Sequence, residues 1–168
     1  EEVTFGHPLK AQHHGIGIVY QELVLLPERT VAQNIFLGRE SGSALWTRQR
    51  KMRRDAAELL DRLGVSDAIR PEQRLGSLSV AAQQMVEIAK ALSTDARLII
   101  MDEPTSSLSE HEAQKLFEVV DDLKSRGVSI LYISHRLGEV ERLCDRVVVL
   151  RDGMRTGELS GAENQRQN

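Results

Sequence analysis

The stretch Leu98-Ile99-Ile100-Met101-Asp102-Glu103-Pro104 limits the possible folds more than any other part of the chain. An unbroken apolar run meets two adjacent carboxylates, and a proline then removes the backbone N–H that a continuing strand would need. Such a run suits a strand buried on both faces, as in a parallel sheet covered by helices. Ligands on open parallel sheets gather at the carboxyl ends of the strands, so acids placed there are expected to carry chemistry. Neighbouring side chains on an extended chain point to opposite sides. Asp102 and Glu103 are therefore expected to do different work, one reaching a metal and the other facing a reacting water.

Around this strand the chain alternates strand and helix patterns. Val3-Thr4-Phe5 reads as the end of a strand broken by Gly6-His7-Pro8, and Ile16 to Tyr20 as a short strand closed by Gln21. His7, His13 and His14 fall in the polar linker between them and are expected in a solvated loop. Thr30 to Leu37 is apolar at helical spacing. Met52, Ala56, Leu59, Leu60 and Leu63 recur at steps of three and four among Arg, Asp and Glu, giving an amphipathic helix that Gly64 stops. The basic residues Arg48, Arg50, Lys51, Arg53 and Arg54 interleave with that stripe, so they read as a solvated face rather than a nucleic-acid surface.

After a loop with Pro71, residues Ala81, Met85, Ile88 and Leu92 share a helical face that leads into the acid-tipped strand. Ser109 and Glu112 have capping-box spacing ahead of a helix that buries Ala113, Leu116, Phe117, Val120 and Leu123 and ends at Gly127. Val128 to Ile133 is the next strand, and it delivers Ser134-His135-Arg136 to the same edge of the sheet. A short helix from about Gly138 to Cys144, a strand from Val147 to Leu150, and a turn at Asp152-Gly153 into Met154 to Leu159 complete the pattern. Ser160 to Asn168 is a polar tail. This βαβ grammar predicts an α/β fold on a parallel sheet.

At 168 residues, with a hydrophobic share of 40%, the chain suffices for one core. A net charge of −3 excludes a whole-chain basic field for nucleic acid or anionic lipid. No apolar run approaches the roughly 20 residues of a membrane helix, so any membrane role is expected to come through a partner. The single Cys144 has no internal disulfide partner.

Several motifs in register resemble the ABC transporter ATPases: Gln21 after its strand, Leu78-Ser79-Val80-Ala81-Ala82-Gln83-Gln84 opening a helix, Leu98 to Glu103, Ser106-Ser107-Leu108-Ser109, and His135 after the last buried strand. The wording of Gly17 to Leu23, Asn34 to Glu40 and Gln83 to Lys90 is similar to the first nucleotide-binding half of tandem ribose, xylose and galactose importer ATPases. The resemblance implies a P-loop NTPase-like parallel-sheet core at 1–38 and 93–159. It also implies an inserted helical subdomain at about 39–92 and a tail at 160–168, all within one partial nucleotide-binding domain spanning 1–168.

By the same resemblance, Asp102 helps hold Mg²⁺ on the phosphates of ATP, and Glu103 polarises the attacking water. His135 contacts the γ-phosphate, and Gln21 reaches metal and water beside the surface that docks on permease subunits. Ser107, in the loop from Ser106 to Ser109, crosses toward a second ATPase unit. Ser79 and the amides of Val80 and Ala81 serve the ATP held by that unit. The implied partners are the second unit, the transmembrane permease and, indirectly, a sugar-binding protein, without nucleic acid. The implied location is the cytoplasmic face of the membrane.

Two departures qualify the resemblance. The 168 residues contain no Gly-x-x-x-x-Gly-Lys followed by Ser or Thr. A chain without that loop or the first strands is expected to be inactive and poorly stable alone. Val80 and Ala81 also stand where the signature loop has glycines, and Ala82 where it has Gln, a wording taken as a mark of the sugar-importer branch. Two alternatives remain: a docking module that hydrolyses nothing, or an ABC ATPase acting on nucleic acid or ribosomes.

Overall fold

The computed structural model describes residues 4–39 and 45–160. Its centre is a parallel sheet of three strands, β1 (Ile16–Val19), β2 (Leu98–Asp102) and β3 (Ser129–Ile133), in the order β1-β2-β3. Ile16 pairs with Leu98 and Val19 with Met101, while Asp102 lies opposite Ile133. All three strands therefore finish at one edge. Alternation divides the sheet residues between two faces. Val19, Ile99 and Met101 are fully buried, whereas Ile18, Leu131 and Ile133 remain exposed on the other face.

Helices α4 (Val80–Leu92) and α5 (Glu110–Ser125) cover the buried face, packing on β1 and β3 respectively. Contact with β1 is close because residue 17 is glycine. A Cβ there would lie 3.1 Å from Ala91 Cβ and 3.2 Å from the Ala91 carbonyl. Helix α2 (Val31–Ile35) and the long helix α3 (Leu45–Arg62) pack on the far side of α4. Ala56, Leu59, Leu60 and Leu63 are buried as their spacing requires, and Gly64 follows with φ of 66°. One apolar core runs from these helices to the sheet.

Local signals explain most boundaries. Thr30 and Gln33 form a capping box on α2, as Ser109 and Glu112 do on α5. Gly127, with φ of 82°, follows the end of α5. Helix α6 (Leu137–Leu143) leads to a hairpin of β4 (Arg146–Arg151) and β5 (Met154–Ser160). Its turn residues Asp152 and Gly153 both have positive φ, the conformation that a two-residue hairpin turn demands.

The structure corrects three expectations. The linker before β1 is a short helix, α1 (Pro8–His13). Pro8 stands at its first turn, where a missing N–H costs nothing, and His7 caps it by accepting the Leu9 N–H at 3.2 Å. His13 is therefore helical, and His7 and His14 are its caps. Thr4 and Phe5 belong to no strand, and Val3 lies outside the described residues. Ser160 closes β5 rather than starting a tail, and the rest of that predicted tail, with Glu40 of the importer-like wording, lies outside the described residues.

Candidate active site at the carboxyl edge of the sheet

The chain segments leaving β1, β2 and β3 bring Gln21, Glu103 and His135 together. Glu103 extends the β2 ladder by one bond, its N–H donating to the Ile133 carbonyl at 2.9 Å. The backbone then turns sharply, with φ of 44° at Glu103, a conformation uncommon for a residue with a side chain. The turn is held by the Ser106 N–H donating to the Glu103 carbonyl at 3.1 Å. It swings the Glu103 carboxylate between two partners. Gln21 Nε2 donates to Oε2 at 3.3 Å, and His135 Nδ1 lies 2.9 Å from Oε1.

An ionised carboxylate only accepts, so this pairing puts a proton on Nδ1 and leaves His135 Nε2 available. The His135 side chain is 71% exposed and that of Glu103 27%, so the pair is open to an incoming group. A carboxylate held between an amide donor and an imidazole can orient a water and draw on its proton.

The loop that carries Gln21 is anchored from two helices. Asn34, fully buried, accepts the Leu26 N–H at 2.7 Å and donates to the Leu26 and Thr30 carbonyls at 3.0 Å. Lys90 Nζ donates to the Val24 carbonyl at 2.9 Å and lies 3.4 Å from Glu87 Oε1. Burial pushes the Glu87 carboxyl above its ordinary value, although Lys90 pulls the other way.

A second buried acid, Glu139, sits behind His135 with 7% of its surface exposed. Its Oε1 accepts from Thr105 Oγ1 at 2.7 Å and its Oε2 from Tyr132 OH at 2.9 Å and Ser134 Oγ at 3.0 Å. Arg136 completes the group at 3.4 Å from Oε1. Burial alone would raise the Glu139 carboxyl, but bonds from Thr105, Tyr132 and Ser134 with the Arg136 charge hold it below the ordinary value. The Tyr132 hydroxyl is pushed up by burial and by its bond to Glu139. Sequence reasoning missed Asn34 and Glu139, because Asn34 bonds the backbone of a loop up to eight residues away and Glu139 gathers Tyr132, Ser134 and Arg136 with the distant Thr105, spacings that match no local motif.

Asp102 lies on the same sheet face as Ile100, half-buried, and its carboxylate makes no hydrogen bond or ion pair among the described residues. No cluster of three or more His, Cys, Asp or Glu among the described residues could hold a metal by itself. The Asp102 carboxylate and the carbonyl oxygen of Gln21 are hard oxygen donors. They fit Mg²⁺, which takes one or two protein oxygens and fills its sphere with phosphate and water.

Ser107 is exposed in the turn after Glu103. Ser79 caps α4, its Oγ accepting the Ala82 N–H at 3.3 Å, and the backbone amides of Val80 and Ala81 lie in the first helical turn. Val80 is 45% exposed. No hydrogen bond among the described residues joins Ser79, Val80, Ala81 or Ser107 to the side chains of Gln21, Glu103 or His135. The predicted residues thus divide into one assembled cluster of Gln21, Glu103 and His135, a half-buried Asp102 with no side-chain partner among the described residues, and a separate group at the start of α4 and in the turn after Glu103.

The ABC transporter family profile matches residues 1–106. The ribose import ATP-binding protein RbsA of Bacillus licheniformis is 51% identical over 154 residues, 91% of this chain and 31% of that protein. RbsA of Bacillus subtilis is likewise 51% identical, over 153 residues, 90% of this chain and 31% of that protein. The chain thus spans about 31% of the length of these relatives. Among solved structures, a nucleotide-free ATP-binding cassette from an ABC transporter superposes with a TM-score of 0.81 at 27% identity, covering 98% of this chain and 68% of that one. The ADP conformation of another such cassette gives 0.81 at 28% identity over the same shares. The α/β architecture, the edge cluster and these likenesses agree, and the chain belongs to the ABC transporter family.

Proposed function

We propose that this chain supplies the water-activating part of an ATPase that powers monosaccharide import. The observation that carries the reading is the convergence of Gln21 and His135 on the Glu103 carboxylate. Glu103 acts as general base toward the water attacking the γ-phosphate of ATP, His135 orients that water and the phosphate, and Gln21 holds the carboxylate in place. Asp102, with the Gln21 carbonyl oxygen, holds Mg²⁺, which neutralises phosphate charge when bound. The sugar-import assignment rests on the likeness to the RbsA ribose import ATP-binding proteins.

In this reading residues 39–92 form a helical subdomain. Ser79 and the amides of Val80 and Ala81 present the start of α4 to a nucleotide held by a second ATPase unit, with Ser107 facing that unit. The ATPase docks peripherally on permease subunits at the cytoplasmic face of the membrane, and a sugar-binding protein delivers substrate to the permease. No helix among the described residues is long and apolar enough to cross a membrane, which is compatible with docking.

The test is Glu103→Gln in the full-length protein. Steady-state ATP turnover is expected to fall on the order of 10²-fold while nucleotide affinity stays within about twofold of the parent. Turnover at the parent rate would refute the role of Glu103.

A further inference from the structure

We propose that Glu139 is a positioning residue, whose buried carboxylate ties the loop carrying His135 to the turn after Glu103 and thereby fixes the imidazole against the catalytic acid. The proposal rests on the reading of Glu103 and His135 as the reacting pair, but the geometry it asserts can be measured without turnover.

Donors to Glu139 bracket His135 on both sides. Tyr132 and Ser134 precede it, Arg136 follows it, and Thr105 lies two residues after Glu103. Ser134 Oγ also accepts the Arg136 N–H at 3.0 Å, which closes the loop on itself. The His135 ring is 71% exposed, and its only side-chain hydrogen bond among the described residues goes to Glu103. Apart from that bond, its direction comes from the backbone that carries it. That backbone is held where neighbouring donors meet a single acid.

A bare packing role would not need this arrangement. An apolar side chain fills a buried space without requiring hydroxyl partners, whereas a buried carboxylate is costly unless its oxygens are hydrogen-bonded. Here both oxygens are filled, and by residues from the two segments that also present Glu103 and His135. Thr105 is itself 2% exposed, so the anchor on the Glu103 side is as buried as the acid.

The experiment follows the imidazole nitrogens of His135 by NMR in full-length protein carrying ¹⁵N-histidine. Glu103→Gln is introduced into the parent, into Glu139→Met, which keeps the volume but removes the acceptors, and into Glu139→Asp, which keeps the charge but shortens the reach. Dispersed amide spectra establish that each variant is folded, and either one suffices.

In the parent, Glu103→Gln should shift the His135 resonances. In a folded Glu139 variant, at least about half of that response should be lost. A full-sized response in a folded variant, or none in the parent, would overturn the proposal. Missing ATP turnover in the parent would count against the ATPase reading and leave the NMR comparison standing.

Discussion

Glu87 and Glu139 are both buried acids, yet their surroundings move them in opposite directions. Desolvation dominates at Glu87, so its folded carboxyl sits above the ordinary value and its charge costs stability once the pH exceeds about 4.5. At Glu139 hydrogen bonds and Arg136 outweigh burial, so the folded value is depressed. Its stabilising contribution is complete above the ordinary value of 4.5 and is lost as the pH falls through the depressed one. Glu139→Gln is therefore expected to melt below the parent near neutral pH, and the gap should narrow only as the pH falls below the ordinary value of 4.5 and through the depressed one. Thermal melts across that range would show it, and a constant gap would deny that the ionised carboxylate is what the fold stabilises.

Among the elements, the fit of α4 to β1 is set by one missing side chain. Gly17→Ala places a Cβ 3.1 Å from Ala91 Cβ, so strand and helix must separate. A loss of about 1–3 kcal/mol is expected in urea unfolding. Gly157→Ala, at an open position on β5, should cost much less. Equal losses would mean that the close approach is not what requires glycine at 17.

Element-scale features were also the most legible in the sequence. The capping box at Ser109, the stops at Gly64 and Gly127 and the Asp152-Gly153 turn each rest on chemistry within a few residues, and each is present. Helix α1 was misread because Pro8 can break one element or begin the next, and the His7 cap decided for the second. Asn34 and Glu139 matched no local motif. Asn34 holds a loop eight residues away, and Glu139 meets Thr105 thirty-four residues earlier in the chain, so only the folded chain brings these partners together.

At the scale of the molecule, three parallel strands ending at one edge turn separate motifs into a site. Asp102 and Glu103 were expected to diverge by simple alternation. The positive φ of Glu103 adds a turn to that separation and delivers its carboxylate to Gln21 and His135. Exposed signature residues at the start of α4 remain apart from this cluster, as a site completed by a second ATPase unit would require.

The most direct measurement is single-turnover ATP hydrolysis by full-length protein carrying Glu103→Gln, His135→Ala or both. Residues that act on one water should not lose rate independently. The double variant is expected to hydrolyse within about threefold of Glu103→Gln alone. Penalties that multiply, or a Glu103→Gln variant as fast as the parent, would contradict it.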